Sequence, residues 1–407
     1  MHITRRTLAG TATAAMLPLG RGARAQANPT IRIGVLNDQS GPFADFGGMG
    51  SVLAVRQAVK DFGDHGFATE VIFADHQNKP DVGAAIARQW CDSGVDVLMD
   101  LPVSSVALAV NSVAREKNKV LITSAAATSD LTGTQCSPNT VQWTFDVYML
   151  AKAEATAILG EGGKNWYFVY ADYVFGQQLA RDASRFVQEK GGRVLGATPY
   201  PFPGTTDFSG FLLQAQASGA QVLGLASSGA DFINLYKQAH EFGLQNSMRI
   251  TGLEVFLTDV HALGLEIAQG LELCASFYWD LNDRTRAFTK RLLQHQKPAT
   301  YPTMDQAGCY SGTLHYLKAV AAMGPARAKA DGAAAVAQMK AMPIDDDAFG
   351  KGTVRADGRT ITPAYLFRVK KPAESKGLWD YYTLVQTLSP DEVWRPLSEG
   401  HCSLVKA

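Results

Sequence analysis

Gly47, Gly48 and Gly50 follow the apolar run Ile31–Leu36, an order of strand, glycine loop and helix start that also serves to hold nucleotide phosphates. The spacing argues against that chemistry. A dinucleotide turn needs its glycines directly after the strand, so that the first amides of the helix face the pyrophosphate. Here Pro42 and Phe43 intervene, and the chain has no Gly-Lys-Ser/Thr triplet of the kind a P-loop requires. Nucleophilic hydrolysis is also poorly served. A hydrolase elbow needs Gly-x-Ser-x-Gly, and Leu225-Ala226-Ser227-Ser228-Gly229 lacks the first glycine. Asp75 and His76 are adjacent, yet no motif places a nucleophile near them, and His240 and His261 fall in helical patterns as structural residues. With neither CxxC nor HExxH there is no zinc spacing, so no metal and no cofactor is expected.

The chemistry that remains is recognition. Ser104, Ser105, Ser124, Thr128 and Ser129 stand at expected helix starts, where unpaired backbone amides favour an anion. Phe43, Tyr173, Phe175 and Phe256 supply aromatic walls, and the charges nearby are Asp45, Asp172, Asp231, Glu254 and Asp259. Apolar walls with a few polar groups suit a small organic molecule.

Such residues need a frame, and the chain alternates apolar runs with helical patterns. Residues 31–36, 69–75, 95–102 and 119–126 read as strands separated by amphipathic helices, which predicts a parallel sheet covered on both faces. The pattern restarts at 166–172 and continues through RVLGATPYP, QVLGLASS and RITGLEV. The expected fold class is therefore α/β, with two βα lobes whose ligand loops lie beyond the carboxyl ends of the strands. The last third differs: helices near 284–296, 305–323 and 331–342 precede a hairpin-like stretch with Asp357-Gly358 as its turn, then a further strand in YYTLVQTLS.

The 407 residues carry 38 basic and 38 acidic side chains. Residues 1–25 hold Arg5, Arg6, Arg21 and Arg24 and no acid, so their removal leaves 34 basic against 38 acidic. That excludes a basic nucleic-acid-binding surface. The same segment has a basic start, a short apolar middle and Ala23-Arg24-Ala25 as a small-x-small cleavage site, which predicts an export signal. Thr4-Arg5-Arg6-Thr7-Leu8 is similar to the twin-arginine signal, with the general secretory route as the alternative. No later segment approaches the ~20 apolar residues of a membrane span, so the expectation is a soluble protein in the periplasm. Of the five cysteines, Cys91, Cys274 and Cys309 sit in apolar stretches and read as small buried hydrophobes.

Taken together, the opening strand and loop IGVLNDQSGPFADFGG, the segment SAAATSDLT (124–132) and NWYFVYADYVFGQQLAR (165–181) resemble the periplasmic substrate-binding proteins of ABC importers, in the branched-chain amino acid-binding family. The resemblance covers nearly the whole chain after the export signal. It implies two Rossmann-like lobes joined by three crossovers (the type I periplasmic binding fold) with a ligand cleft between them. On that basis lobe one is 28–146 plus 278–350, lobe two is 147–277 plus 351–390, and 391–407 is a tail returning to lobe one. It also implies that Ser104 or Ser105, Ala126 and Thr128 grip a carboxylate, that Phe175 covers the ligand where amino-acid binders often have Tyr, and that Glu254 holds an ammonium. SFYWDLND (276–283) is similar to a branch that takes other small organic acids or amides, including aromatic acids. TGTQCSP and HCSLVKA are similar to segments that pair in this family, which implies a Cys136–Cys402 disulfide.

The function so implied is capture of a small molecule and delivery to an ABC permease by a monomer, with no enzymatic step. A ligand sensor acting on a receptor is the alternative, and a secreted α/β hydrolase the less favoured one. Peptide mapping without reduction is expected to recover the Cys136 and Cys402 peptides joined; two free thiols would contradict the pairing.

Overall fold

The computed structural model describes residues 29–296 and 299–405, so the expected export segment 1–25 lies outside the described residues. Strands β1 (Thr30–Asn37), β2 (Ala68–Asp75), β3 (Val97–Asp100), β4 (Val120–Thr123) and β5 (Thr140–Gln142) form a parallel sheet in the order β2-β1-β3-β4-β5. A second parallel sheet, in the order β7-β6-β8-β9, contains β6 (Asn165–Ala171), β7 (Arg193–Tyr200), β8 (Val222–Ala226) and β9 (Arg249–Gly252). The side-chain pattern explains each position. β3 (VLMD), β4 (VLIT) and β8 (VLGLA) are buried at every residue, as central strands covered on both faces must be. β2 and β7 alternate towards solvent and lie at the sheet edges.

The C-terminal third divides between the two sheets. β10 (Glu272–Ala275) pairs antiparallel with β14 (Ala364–Val369), which in turn pairs with the exposed edge strand β15 (Tyr382–Leu388). A separate antiparallel set, β11 (Ile344–Asp346), β12 (Gly350–Val354) and β13 (Thr360–Ile361), meets the first sheet through a bridge between Gln142 and Arg359. Asp357-Gly358 does form the turn, but it joins β12 to the two-residue β13, while the rest of that stretch becomes β14 in the separate sheet β10-β14-β15. Gly358 has φ +89°, and a Cβ there would lie 2.6 Å from the Thr140 carbonyl, so the turn and the bridge both require glycine.

The chain crosses between the sheets after β5, after β10 and between β13 and β14, and one arginine ties two of these passages together. Arg359 is buried; its Nη1 donates to the Phe145 carbonyl (2.8 Å), its Nε to the Thr360 carbonyl (3.0 Å), and its guanidinium lies 4.4 Å from the Trp394 ring centroid. Burial pulls its pKa down to about 10, against the pull of Asp146 and Asp357. Asp146 caps the helix Val147–Gly160 by accepting from the Met149 N–H (2.9 Å). Trp394 belongs to the C-terminal tail, which continues to a disulfide between Cys402 and Cys136, with Cα atoms 5.7 Å apart. Arg395 adds a bond from its Nη2 to the Ser129 carbonyl (2.9 Å), so the tail is held against the loop after β4.

Cys91, Cys274 and Cys309 are buried and unbridged, but the surroundings of two of them are less apolar than their sequence context suggests. Cys309 faces Asp100 and Asp305, and Cys274 faces Glu154. Glu154, on the buried side of helix Val147–Gly160, has neither carboxyl oxygen hydrogen-bonded among the described residues. Burial, and then the nearby Glu272, push its pKa up to about 8. A carboxyl whose folded pKa is raised lends its full stability below its unfolded value and loses it as pH rises through the folded one. Glu154→Gln should therefore change the melting temperature only slightly at pH 5 and raise it by about 3 °C or more at pH 8.5, read by scanning calorimetry. A gain equal at both pH values would contradict an ionisable, buried Glu154.

Candidate functional site

The carboxyl ends of both parallel sheets face one another across the crossovers, and their loops meet. Pro42, in the loop after β1, accepts a hydrogen bond from the Ala230 N–H (3.0 Å) at the start of helix Gly229–Glu241. Phe43 stacks on Phe202 (5.6 Å between centroids), and Phe202 stacks on Tyr173 (4.4 Å), so an aromatic column runs from the first lobe into the second. Beside it Phe46 stacks on Phe256 at 3.9 Å. Gly229 (φ +57°) makes the approach possible, because a Cβ there would lie 2.4 Å from the Pro42 carbonyl. The lobes are closed on each other.

A second contact across the cleft uses an amide. Thr128 Oγ1 donates to Gln178 Oε1 (2.8 Å), and the Ser129 N–H donates to the same oxygen (3.2 Å). Gln178 Nε2 donates to Asp130 Oδ2 (2.8 Å). Gln178 lies on the second-lobe helix Val174–Glu189, and its three partners lie in the loop after β4.

Across the carboxyl edge of the second sheet the strand ends set out a row of polar groups: Tyr200 on β7, Tyr173 after β6, Ser227 and Ser228 after β8, and Glu254 after β9. Glu254 is buried, and its Oε1 has no hydrogen-bond partner among the described residues. Burial pushes its pKa up to about 8, against the Ser228 hydroxyl, which faces it. Asp231, one turn into the helix that follows β8, is buried with Oδ2 likewise unpartnered, and burial raises its pKa to about 6. Burial, and then the nearby carboxyls of Glu254 and Asp231, hold the Tyr173 phenol well above its usual value.

No basic side chain offsets these acids. Residues 37–50, 100–107, 123–135 and 303–308 on one side, and 171–178, 200–209, 226–232 and 252–259 on the other, contain neither lysine nor arginine. The first-lobe floor adds Asp100 and Asp305, both fully buried and both raised by burial; Asp100 raises Asp305 further. Asp100 Oδ2 accepts from Asn37 Nδ2 (2.8 Å), while Asp100 Oδ1 and Asp305 Oδ2 are unpartnered among the described residues. With Cys309 they place three donor atoms within 4.8 Å of one another. Two carboxyls this close resist ionising together.

The residues expected from the sequence are placed as follows. Ser104 and Thr128 come together directly, the Thr128 N–H donating to Ser104 Oγ (3.2 Å), with Ser105 half-buried beside them. The Ala126 carbonyl accepts from Gln142 Nε2 (2.7 Å). Phe43, Tyr173 and Glu254 line the closed cleft as described. Phe175 is buried at the start of its helix and touches the Tyr173 ring (5.7 Å), a step further from the cleft column than Phe202. Phe202 and Gln178 are contact residues that the sequence reading does not single out. The loop after β7 stands at the same carboxyl edge as the others, so the strand-end rule that selects the other loops also selects Phe202.

A family model described as periplasmic binding protein matches residues 30–377. A periplasmic binding protein from Burkholderia mallei is 43% identical over 93% of this chain and 99% of its own, with a TM-score of 0.89. A branched chain amino acid ABC transporter periplasmic ligand-binding protein from Burkholderia xenovorans is 40% identical over 92% of this chain and 99% of its own, with a TM-score of 0.80. At 19% identity, an ABC transporter solute-binding protein from R. palustris in complex with benzoate shares the fold over 89% of this chain and 97% of its own, with a TM-score of 0.79. Among curated proteins none matches the sequence.

Gln178→Ala removes the amide that joins the lobes at Thr128, Ser129 and Asp130. The closed form should lose about 2 kcal/mol, a factor of roughly 30 against the open form. Small-angle scattering from the unliganded variant is expected to give a larger radius of gyration than the parent protein. An equal radius would show that this contact does not hold the lobes together.

Proposed function

The chain belongs to the periplasmic binding protein family, and from that premise we propose that it is the solute-capture component of an ABC importer. It closes its two lobes on a small organic molecule bearing an amine and presents the closed form to a permease in the inner membrane. The observation that carries the amine is Glu254: a buried carboxyl whose Oε1 has no partner among the described residues, in a cleft whose loops contain no lysine or arginine. A ligand ammonium would supply the missing counter-charge through a charge-assisted hydrogen bond. The ligand's own carboxylate would be met by uncharged donors of the first lobe, with Ser104 or Ser105, Ala126 and Thr128 as the proposed grip. Phe43, Tyr173 and Phe175 would supply the walls. The name of the 40% identical relative supports an amino acid as the class.

Capture needs no bond to be made or broken, and the site residues are recognition groups rather than catalysts. The reading places the protein in the periplasm as a monomer, delivered there by the segment 1–25. Its lobes would be 28–146 with 278–350 and 147–277 with 351–390, the tail 391–407 returning to the first. The pairing of β12 with β13 and the Gln142–Arg359 bridge support carrying the first-lobe segment on to Ile361. The Phe43–Phe202–Tyr173 column favours a second reading, a flat aromatic acid, of the kind that the R. palustris protein holds. In that case Glu254 would stay protonated and make no ion pair.

A thermal-shift screen of the purified protein against amino acids, short amides, and aliphatic and aromatic acids separates the two. A ligand at 100 times its dissociation constant adds about 2.7 kcal/mol of stability. The expected result is a shift with amino acids that falls away in Glu254→Gln. A shift with benzoate and not with amino acids, kept in Glu254→Gln, would contradict the amine.

A further inference from the structure

Glu254 accounts for only one end of the polar row on the second lobe. From the helix after β8, Asp231 faces the Tyr200 hydroxyl at the other end, and Tyr200 in turn faces the Ser227 hydroxyl; Asp231 Oδ2 and the two hydroxyls have no hydrogen-bond partner within normal distance among the described residues. Tyr200 and Ser227 are fully buried, so these are not groups left to water. An unpaired buried hydroxyl or carboxyl is costly, and three of them at one place call for a ligand that donates to them. Two adjacent serines divide the row. Ser228 has extended backbone (φ −151°, ψ 158°), which points neighbouring side chains to opposite sides: Ser227 faces Tyr200, and Ser228 faces Glu254. Tyr173, after β6, lies near enough to both acids to feel their charge. Four strands at ~4.8 Å spacing put Tyr200 roughly 14 Å from Glu254, and Asp231 reaches from the helix after β8 towards Tyr200.

Resting on the reading that the cleft captures an amine-bearing solute, we propose that Asp231, with Tyr200 and Ser227, forms a second subsite for a nitrogen donor. The ligand is then an amino acid whose side chain ends in an ammonium, guanidinium or amide group, not an aliphatic one. Its α-ammonium goes to Glu254 and its distal N–H groups go to Asp231 and the two hydroxyls. A leucine-like side chain in the same place would bury the Asp231 carboxyl against methyl groups and leave Tyr200 and Ser227 unsatisfied. The charge of the cleft points the same way, because loops with acids and no bases concentrate cations. Glu254 faces Ser228 and Asp231 faces Tyr200, so the loss of one carboxyl is separable from the loss of the other.

Isothermal titration of the purified protein with L-lysine, L-arginine, L-glutamine and L-norleucine tests the subsite without any substitution. L-norleucine is the control, having the chain of lysine without its ammonium. At least one nitrogen-bearing ligand is expected to bind roughly 30-fold tighter than L-norleucine. Asp231→Asn, checked for an unchanged fold by circular dichroism, should lose that advantage while keeping its affinity for L-norleucine. Equal affinity for L-norleucine and all three nitrogen-bearing ligands would overturn the second subsite and leave amino-acid capture standing. Equal losses for every ligand in Asp231→Asn would also overturn it, since Asp231 would then serve the common α-amino group or the fold. Binding of none of the four, with binding of benzoate, would remove the amine reading itself and the subsite with it.

Discussion

Buried negative charge without a protein counter-charge is the constraint on which the rest depends. The loops that meet between the lobes bring Glu254, Asp231, Asp259, Asp100 and Asp305 out of water and contribute no lysine or arginine. An isolated carboxylate in such a place is costly enough that the group takes up a proton unless something cationic arrives. Burial accordingly pushes Glu254 to about 8, Asp259 to about 7 and Asp231 to about 6. A proton and a ligand nitrogen are thus competing answers to one deficit. Asp100 and Asp305 lie deeper, in the first lobe, where burial and then the Asp100 carboxyl raise Asp305. Glu254 and Asp231 lie at strand ends facing the cleft, where a ligand can do what the proton does.

Closure is what makes this selective. The aromatic column Phe43–Phe202–Tyr173, the Phe46–Phe256 stack and the Gln178 amide all join one lobe to the other. Aromatic stacking of this kind is worth about 0.5–1.5 kcal/mol per pair beyond area burial, enough to form a closed state and too little to lock it. A ligand shifts such an equilibrium only by its difference in affinity for the two forms. In the proposed capture the crossovers would take up the motion; Arg359 binds two of them and the tail residue Trp394 into one buried unit. The Cys136–Cys402 bridge and Arg395 anchor the same tail to the loop after β4, close to Ser129 and the contact with Gln178.

Much of the frame was legible in the chain because it is written locally. Continuous apolar runs such as VLMD and VLIT can only be central parallel strands, and the ligand loops follow from where those strands end. The less legible parts depend on partners far away in sequence. Phe202 reads as one more aromatic in a proline-rich loop until Phe43 is brought onto it. Gln178 reads as a polar helix residue until the loop after β4 docks on it. Glu254 reads equally well as a solvent-facing glutamate at a strand end, and only the folded chain shows it buried. The segment around Asp357-Gly358 shows the same limit, since a hairpin pattern carries no information about which sheet each arm will join. Cys309 looked apolar because its charged neighbours, Asp100 above all, are remote in the sequence.

The central claim is that the cleft holds a nitrogen-bearing cation in place of a missing lysine or arginine. Its most direct test is native mass spectrometry of the protein as exported by cells, followed by denaturation and identification of the released small molecule. The account predicts a ligand with at least one nitrogen protonated at neutral pH. A nitrogen-free acid as the retained ligand would contradict it.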